Sequence, residues 1–408
     1  MRILLSAFAC APHSGSETGG GWRWATELAK YHEVFVLTDE SRRELFTPNA
    51  CYSENLHIVF YRPFVIRKLP LNSRTAQVLY SVWQYCLLPF ARRLQKEHRF
   101  DCAIHLTYGV FRHPSFLGFL GIPFVFGPVG GGEEAPWCLI KSFPLKDKLV
   151  EIARRLLNLS AKFNPFLWLC LSRANLILVR TDETAQALPF PYQNKAIQYQ
   201  EIGAPEVPRS IGARNRGSDP RLRVLFAGRL LCWKGVHLAL KAVAVARSHG
   251  ADIDFSVIGS GPKLDWLKHI SDQYGLDESC LHWIDRLPQE KLFELYESAD
   301  CFLFPSLHDS GGNVVLEAIS FGLPVVCLDL GGPKTLVNED CAVVVSTVGR
   351  TEDVVIKEMA NALIELASNE VKRVKMSLAA IERANEITWE KRVLGAMKLI
   401  ETHCIHPT

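Results

Sequence analysis

Residues 304–332, FPSLHDSGGNVVLEAISFGLPVVCLDLGG, carry the densest pattern in this sequence. An apolar run leads into a loop with Asp309 and two glycines, then into an amphipathic segment with Glu317, then into another apolar run. This order predicts a strand, a loop, a helix and a second, parallel strand. Backbone N–H groups at the helix start form an anion site, whereas the two carboxylates suit hydroxyl-rich partners such as sugars.

The same alternation of short apolar runs and amphipathic segments covers most of the 408 residues. It indicates βαβ units and parallel sheets. The predicted strands are RILLSAFA, EVFVLT, HIVFY, CAIHLTY, PFVFGPV and LILVRT in the first half, and RVLFAGR, DFSVIGS, HWIDRL, CFLFPS and PVVCLDL in the second. The predicted fold class is α/β, with two Rossmann-like, doubly wound domains facing across a cleft.

A segment without apolar periodicity separates the two sets of strands. Residues 204–220, APEVPRSIGARNRGSDP, are rich in Pro, Gly and Arg, as linkers are. The predicted division is an N-terminal domain over 1–204, a linker over 205–220, a C-terminal domain over 221–388 and a last helix over 389–408.

Composition excludes several classes of protein. Lys and Arg number 46 against 43 Asp and Glu, and a net charge of +3 argues against nucleic-acid binding. The 12 cysteines are scattered without a C-x-x-C pair, which indicates a reducing, cytoplasmic compartment. The short apolar N-terminus leads into a Gly-rich loop, so we interpret it as a first strand and not as a signal peptide. No apolar run reaches the roughly 20 residues of a membrane span.

Residues 62–99 are strongly basic by comparison. They contain eight Lys and Arg residues against a single acid, Glu97, and they surround the apolar, aromatic stretch VLYSVWQYCLLPFA. Such a segment suits a helix lying on an anionic membrane surface. The alternative is a domain helix that packs on the sheet and has a solvated basic edge.

Two further loops could bind anions. Near the N-terminus, three consecutive glycines follow the first predicted strand and open a helix: Gly19, Gly20 and Gly21. The dinucleotide fingerprint G-x-G-x-x-G is absent there. In the second half, FAGRLLCWKG places Arg229 five residues before Lys234, and the two cations together can neutralise a diphosphate. The alternative is a pair of surface cations.

In this order, the motifs resemble a known family. They are the GG before an E-L-A helix, G-R-(x)4-K-G, V-I-G-S-G-P at 257–262, the acid-x7-acid helix followed by G-L-P-V-V, and a terminal T-W-E-K-R helix. The chain resembles the retaining GT-B glycosyltransferases of family 4, or group 1, most strongly over 221–340. The resemblance implies an acceptor-side first domain, a second domain that binds a nucleotide sugar, and a last helix that returns to the first domain.

The resemblance also implies roles for single residues. Arg229 and Lys234 would grip the donor diphosphate, and Glu317 would hold the ribose hydroxyls. Asp309 would lie near the donor sugar, where the family usually has Glu. The remaining donor-binding residues implied in this way are Gly19, Gly20, Gly21, Arg286, Leu287, Gly311, Gly312, Asn313 and Val314.

Three residues of the first half are weaker candidates. His105 ends a predicted strand, where family members commonly place a functional His, so it joins Arg229, Lys234 and Asp309 as a predicted catalytic residue. The alternative is a structural histidine. Glu133 and Glu134 follow GPVGGG and are either acceptor ligands or a solvated loop end.

One literal motif misleads. Asp252-Ile253-Asp254 is a D-x-D, a metal signature of another glycosyltransferase fold, but it precedes FSVIGSG and so begins a strand, away from the predicted site. We predict no metal site and no cofactor, with the nucleoside-diphosphate sugar (a UDP or GDP sugar) as donor substrate.

The predicted function is transfer of a sugar from that donor to a carbohydrate or lipid-linked acceptor hydroxyl, with retention, in polysaccharide or glycolipid synthesis. The predicted location is the cytoplasm, with peripheral contact at the inner face of the membrane through residues 62–99. The alternatives are a sugar-nucleotide epimerase of the same fold and a non-catalytic glycosyltransferase-like subunit. The missing fingerprint disfavours a dinucleotide-dependent oxidoreductase.

Overall fold

A computed structural model describes residues 1–47, 51–72, 75–207 and 220–405. The chain forms two compact units. Unit 1 contains Met1–Gly132, Arg155–Ile202 and Trp389–Thr408, and unit 2 contains Glu133–Arg154 and Gly203–Thr388. Most of the predicted linker, residues 208–219, lies outside the described residues.

Thirteen strands and fourteen α-helices are found in the described residues. The strands are β1 (Arg2–Ser6), β2 (Glu33–Asp39), β3 (Leu56–Tyr61), β4 (Cys102–His105), β5 (Phe124–Val129), β6 (Leu176–Val179), β7 (Ala196–Gln198), β8 (Leu222–Ala227), β9 (Ile253–Ile258), β10 (Leu281–Ile284), β11 (Cys301–Phe304), β12 (Val325–Leu328) and β13 (Ala342–Val345). The helices are α1 (Ser16–Ala29), α2 (Ala76–His98), α3 (Leu145–Ala161), α4 (Pro165–Arg173), α5 (Asp182–Ala187), α6 (Phe190–Gln193), α7 (Val236–Ser248), α8 (Leu264–Gln273), α9 (Gln289–Ser298), α10 (Asn313–Ser320), α11 (Gly331–Leu336), α12 (Glu352–Ser368), α13 (Glu370–Glu386) and α14 (Trp389–Ile400).

Each unit is built on one parallel sheet. The strand order is β3-β2-β1-β4-β5-β6-β7 in unit 1 and β10-β9-β8-β11-β12-β13 in unit 2. In both sheets the strand order reverses beside the first strand, between β1 and β4 and between β8 and β11. Ligands of doubly wound folds bind outside the carboxyl ends of the strands at such a reversal. The predicted α/β fold with two Rossmann-like units is confirmed.

Successive residues of the unit 1 strands serve opposite faces of the sheet, as the pleat requires. Leu4 packs on one face in a cluster with Tyr80 and Trp83 of α2. Ile3 packs on the other face, in a cluster that includes Trp24 of α1 and Val393 of α14. The apolar stripe of α2 is therefore part of the core, as the alternative interpretation of the basic segment stated.

The division into units departs from the predicted domain bounds at residues 133–154. Residues 133–154, from the first half of the sequence, belong to unit 2, and α3 begins in unit 2 and ends in unit 1. Residues 389–405, which contain α14, belong to unit 1 although they follow the whole of unit 2.

All eleven predicted strands are present, and two strands were missed. β7 has three partly exposed residues at the sheet edge, and β13 is a four-residue edge strand. Short edge strands bury little apolar surface and so leave a weak alternation in the sequence. None of the helices in the described residues combines the length and the apolar character that crossing a membrane requires.

Candidate active site

Two loops meet at the strand reversal of unit 2, one after β8 and one after β11. Gly235 is in the left-handed region with φ of 75°, and a Cβ there would lie 1.9 Å from the carbonyl oxygen of Pro305. Only glycine permits this backbone approach. It brings Lys234, at the end of the first loop, beside Asp309 in the second.

Lys234 and Asp309 form a partly buried ion pair. The Lys234 ammonium also lies over the rings of Trp233 and Phe304, 4.5 and 5.0 Å from their centroids. Burial of Asp309 favours its neutral form, but the Lys234 charge and the N–H groups of Gly311 and Gly312 outweigh it, so that the pKa of Asp309 lies below its usual value. The pair is ionised and nearly neutral overall.

Arg229 differs from Lys234 in that it is exposed. In the part of the chain that the structure describes, its guanidinium takes part in no hydrogen bond or ion pair. Arg229 follows Gly228 directly after β8, so its charge is held at the carboxyl edge of the sheet. Of the two predicted cations, Arg229 is the one whose charge is available to an anionic ligand.

The loop after β11 ends in a helix N-terminus. Oδ1 of Asp309 accepts the N–H groups of Gly311 and Gly312, each at 3.3 Å. Gly312 has φ of 81° and immediately precedes α10, which begins at the exposed Asn313. The first N–H groups of a helix have no partner within it, and they carry its positive dipole end. Asn313 and the half-buried Val314 thus keep first-turn N–H groups that can meet a ligand, whereas those of Gly311 and Gly312 already bind Asp309.

Glu317 lies on the second turn of α10. Burial raises its pKa to about 7, although the Tyr296 hydroxyl, 3.3 Å from Oε2, and the Gln289 side chain both favour the charged form. A carboxyl of this kind changes charge near neutral pH. Arg286 and Leu287 lie in the loop after β10, where Arg286 is exposed and Leu287 is half-buried.

The structure also brings residues 133–154 to these loops. Oε2 of Glu133, which is 1% exposed, accepts the Ser310 hydroxyl at 2.6 Å. Glu133 is therefore a buried support of the Asp309 loop, not a solvated loop end, and Glu134 beside it is half-buried.

A buried pair of polar side chains, His308 and Glu151, packs against the same loops. This pair was not predicted from the sequence. Nε2 of His308 lies 3.0 Å from a carboxylate oxygen of Glu151, and the His308 ring stacks on Trp233 with centroids 4.5 Å apart. His308 directly precedes Asp309 and Trp233 directly precedes Lys234. This stack therefore holds the backbone of both members of the ion pair. The partner Glu151 is 157 residues away in sequence, so no local pattern could reveal it.

The remaining candidates, the three glycines and His105, belong to unit 1. The three glycines lie inside α1, which begins at Ser16, and the Gly19 N–H donates to the carbonyl of Gly15 at 3.3 Å. A Cβ on Gly19 would collide with the Ser14 carbonyl, and one on Gly21 with the Ala9 carbonyl, whereas Gly20 has room. Close packing therefore accounts for Gly19 and Gly21.

His105 is completely buried at the end of β4. Its Nε2 lies 3.0 Å from the Tyr80 hydroxyl, its ring stacks on Phe126, and burial lowers its pKa to about 3. A neutral, partnered and inaccessible ring has the features of a structural histidine. In this arrangement the ring has no exposed surface.

A different polar cluster occupies the carboxyl edge of the unit 1 sheet. Arg180, directly after β6, lies 2.7 Å from Glu201 and 3.4 Å from Glu17. Glu17 also accepts the N–H of Tyr108, a residue with φ of 55° directly in the loop after β4. Strained, non-glycine residues of this kind are concentrated at functional sites. Arg180 was not singled out from the sequence. Its position directly after a predicted strand is the feature of the sequence that could have identified it.

The D-x-D motif lies at the opposite end of its sheet. Asp254 is the second residue of β9, and it contacts His282 at 2.7 Å and Arg221 at 3.6 Å. Among the described residues, no group of three or more His, Cys, Asp or Glu side chains is arranged to hold a metal ion.

Comparison with known families was consistent with this geometry. Residues 213–383 match the family described as glycosyl transferases, group 1. Over these residues the chain is similar to the group 1 glycosyl transferases. The match spans all of the loops that hold Arg229, Lys234, Asp309 and Glu317, and it confirms the resemblance inferred from the motifs.

Curated relatives align over the same part of the chain. A D-inositol 3-phosphate glycosyltransferase of Corynebacterium glutamicum (strain R) is 30% identical over 173 residues, which are 41% of this chain and 40% of that protein. The amylovoran biosynthesis glycosyltransferase AmsK of Erwinia amylovora is 30% identical over 166 residues, or 39% of each chain. The chain thus matches about two fifths of the length of these relatives.

Solved structures extend the likeness in fold to nearly the whole chain. WaaG, a glycosyltransferase involved in lipopolysaccharide biosynthesis, has a TM-score of 0.58 at 16% identity and covers 98% of this chain and 99% of its own. Anabaena Alr3699/HepE in complex with UDP has a TM-score of 0.60 at 14% identity, with coverage of 98% and 99%. At these identities the likeness establishes the fold, which is that of GT-B glycosyltransferases.

Proposed function

We propose that this protein is a retaining glycosyltransferase that moves a sugar from a nucleoside-diphosphate sugar to an acceptor hydroxyl. One observation carries the proposal: Arg229 follows β8, and the neighbouring strand β11 leads through the Asp309 loop to the N-terminus of α10 and the titratable Glu317. Cation and helix N-terminus suit a diphosphate, and a carboxylate suits ribose hydroxyls.

The reaction breaks the bond between the anomeric carbon and the diphosphate oxygen. Negative charge develops on the leaving diphosphate, while the sugar becomes oxocarbenium-like. Arg229 supplies a positive charge, and the first-turn N–H groups of α10 supply fixed dipoles, at the place where this negative charge develops. They therefore stabilise the transition state more than the ground state. Asp309 balances Lys234, so the net positive charge at this point comes mainly from Arg229.

We propose front-face transfer for the second half of the reaction. The acceptor oxygen forms its bond to the anomeric carbon on the side from which the diphosphate leaves, which retains the configuration. The leaving phosphate oxygen takes the acceptor proton, so the products are the glycoside and the protonated nucleoside diphosphate. No side-chain base is needed in this scheme, which agrees with the inaccessibility of His105.

A panel of nucleotide sugars tests the function directly. A donor that raises the melting temperature is identified first, because a ligand bound only to the native state stabilises it. Release of nucleoside diphosphate is then measured with and without candidate acceptors. Sugar transfer supports the proposal. Interconversion of the donor sugar without an acceptor would assign an epimerase, and donor binding without either reaction would assign a non-catalytic subunit.

Binding of UDP should depend on pH through Glu317. With a pKa of about 7, this carboxyl is mostly protonated at pH 6 and mostly ionised at pH 8. If the carboxylate is the form that accepts ribose hydroxyls, UDP affinity rises roughly tenfold between these values. Calorimetric titration at both values measures the change.

Glu317→Gln is the matched control for this titration. UDP phosphates also ionise in this range, and that contribution persists in the variant. The proposal requires a steeper pH dependence in the wild type than in Glu317→Gln. Equal slopes would remove Glu317 from the ribose site.

We propose that transfer needs no metal ion and no cofactor, because Arg229 and the N-terminus of α10 supply positive charge at the diphosphate. Turnover with an identified donor should therefore be unchanged by excess EDTA. The measurement is the initial rate before and after chelation. A loss of rate that Mg²⁺ or Mn²⁺ restores would contradict this expectation.

We also propose a class of acceptor. AmsK is named for amylovoran biosynthesis and WaaG for lipopolysaccharide biosynthesis, which supports a polysaccharide or lipid-linked acceptor at the inner face of the cytoplasmic membrane. In the basic segment 62–99, Phe64, Val65, Arg67 and Lys68 form an exposed stretch that joins apolar and basic side chains. The stripe of α2 is not available, because it packs in the core.

A further inference from the structure

Helix α3 is amphipathic with its polar side turned toward the protein. Residues 147, 151, 154, 158 and 161 recur at intervals of three and four and so share one face. Four of these five are polar: Asp147, Glu151, Arg154 and Asn158. A surface helix of a water-soluble domain normally buries its apolar stripe instead.

The polar face is held by specific contacts. Asp147 pairs with Lys263, and Glu151 pairs with His308 at 3.0 Å. Glu151 and Asn158 are almost completely buried. These contacts fix the rotation of the helix, so the opposite face must point outward.

The outward face carries an unbroken apolar stripe. Its members, again at intervals of three and four, are between 37% and 79% exposed: Leu145, Leu149, Ile152, Leu156, Leu159 and Phe163. Val150 and Leu157 beside the stripe are exposed as well. Contiguous apolar surface of this kind marks an interaction site.

The following helix, α4, also exposes large apolar side chains. Phe166, Trp168 and Leu169 of α4 are all more than one third exposed. The Trp168 Nε1–H donates to the carbonyl of Lys162 at 2.7 Å, so its polar atom is satisfied while its ring remains accessible. Aromatic residues beside a leucine-rich face are typical of helices at a lipid–water boundary.

The charges around the apolar stripe indicate what kind of partner covers it. The only acids between residues 141 and 173 are Asp147 and Glu151, and both are engaged on the inward face. The lysines of the same segment are Lys141, Lys146, Lys148 and Lys162, of which Lys141 and Lys146 are exposed and the other two half-buried. A leucine stripe bordered only by cations matches an anionic lipid surface.

We propose that the outward face of α3, continued by Phe166 and Leu169, docks this protein on a membrane that contains anionic lipid. A second copy of the chain is a poorer occupant, because pairing two such faces would bring their lysine borders together without acids to balance them. The proposal names a membrane-contacting face other than residues 62–99, and it is independent of the sugar transfer proposed above.

Vesicle sedimentation tests the docking. The full chain, without nucleotide, is mixed with vesicles of 30% phosphatidylglycerol in phosphatidylcholine and with vesicles of phosphatidylcholine alone. We expect binding to the first, weaker binding to the second, and a reduction when the salt concentration is raised, because exposed charges are screened.

Leu149→Gln/Leu156→Gln is the decisive variant. Glutamine keeps a high helix propensity and both sites are exposed, so the melting temperature should be unchanged. The partition coefficient to anionic vesicles should fall roughly tenfold or more, because two leucines no longer leave water on binding. Val371→Gln/Leu378→Gln on α13 is the matched control, since it removes two exposed apolar side chains beside charges of both signs, and it should bind as the wild type does.

Three results would overturn the proposal. The first is a wild type that does not sediment with anionic vesicles. The second is Phe64→Ser/Val65→Ser losing vesicle binding while the leucine variant keeps it, which would move the contact to the basic segment. The third is a wild-type dimer that the leucine variant converts to a monomer in sedimentation equilibrium, which would assign a second copy to this face. Sugar transfer is measured separately, so failure of one proposal leaves the other standing.

Discussion

The double variant Arg229→Ala/Lys234→Ala should lose kcat/KM for sugar transfer by roughly 10³-fold or more, the largest effect that we expect from any change. Removing one preorganised group from a site of developing negative charge typically costs roughly 10²–10³-fold. Arg229 is exposed and makes no contact on which folding depends among the described residues. Its loss should therefore appear in turnover and not in stability.

The two single variants separate the contributions. Arg229→Ala alone should account for most of the loss, because the charge of Lys234 is already balanced by Asp309. Lys268→Ala, which removes an exposed cation from α8 in the same unit, is the control and should leave turnover unchanged. A normal rate in the double variant, with a proven donor, would refute the diphosphate assignment of both residues.

Asp309→Asn should lower both stability and turnover. The substitution leaves the partly buried Lys234 ammonium without its counter-charge, and breaking such a pair costs about 2 kcal/mol of unfolding free energy. Denaturant unfolding at neutral pH measures this change. Turnover should fall as well, because Asp309 also anchors the N–H groups of Gly311 and Gly312 before α10.

The pH dependence of this effect has a defined sign. The folded pKa of Asp309 lies below the value of 3.8 for the free side chain, so the unfolded chain binds more protons at this site in acid. The stabilisation is complete well above pH 3.8 and is lost as the pH falls through the folded pKa. The wild type and Asp309→Asn should therefore become similar in stability at low pH.

Two control variants make the Asp309 result specific. Asp309→Glu keeps the charge and restores the residue that the family resemblance predicts, so stability should be largely retained while turnover reports the effect of one added methylene. Glu294→Gln breaks the fully exposed pair with Lys291, which should have no measurable effect on stability. A loss of stability in Glu294→Gln as large as that in Asp309→Asn would show that the Asp309 pair has no special role.

The site residues of unit 2 could be predicted from the sequence because the patterns that mark them are local. Arg229 and Lys234 lie within seven residues of the end of β8, and Asp309 and Glu317 lie on one loop and the helix that follows it. Parallel strands all present their carboxyl ends at one edge, so the order of the motifs was sufficient to bring these residues together.

The roles of other residues followed from contacts that are distant in sequence. In the sequence, His105 is a histidine at the end of a predicted strand. Its contact with the Tyr80 hydroxyl and its complete burial in the core are visible only in the structure. In the sequence, Glu133 is an acidic residue of a loop. Only its contact with Ser310, 177 residues later, shows that it supports the Asp309 loop.

Periodicity and strand-end loops are local properties, so the α/β class, the two parallel sheets and the residues at the strand reversal of unit 2 could all be predicted from the order of the residues. Tertiary structure decided which side of a helix faces the protein. The apolar stripes of α2 and α3 are both plain in the sequence, yet α2 buries its stripe against the sheet and α3 exposes its own. The physical reason is that the inward face of α3 is committed to buried polar partners such as His308, which the sequence places far from it.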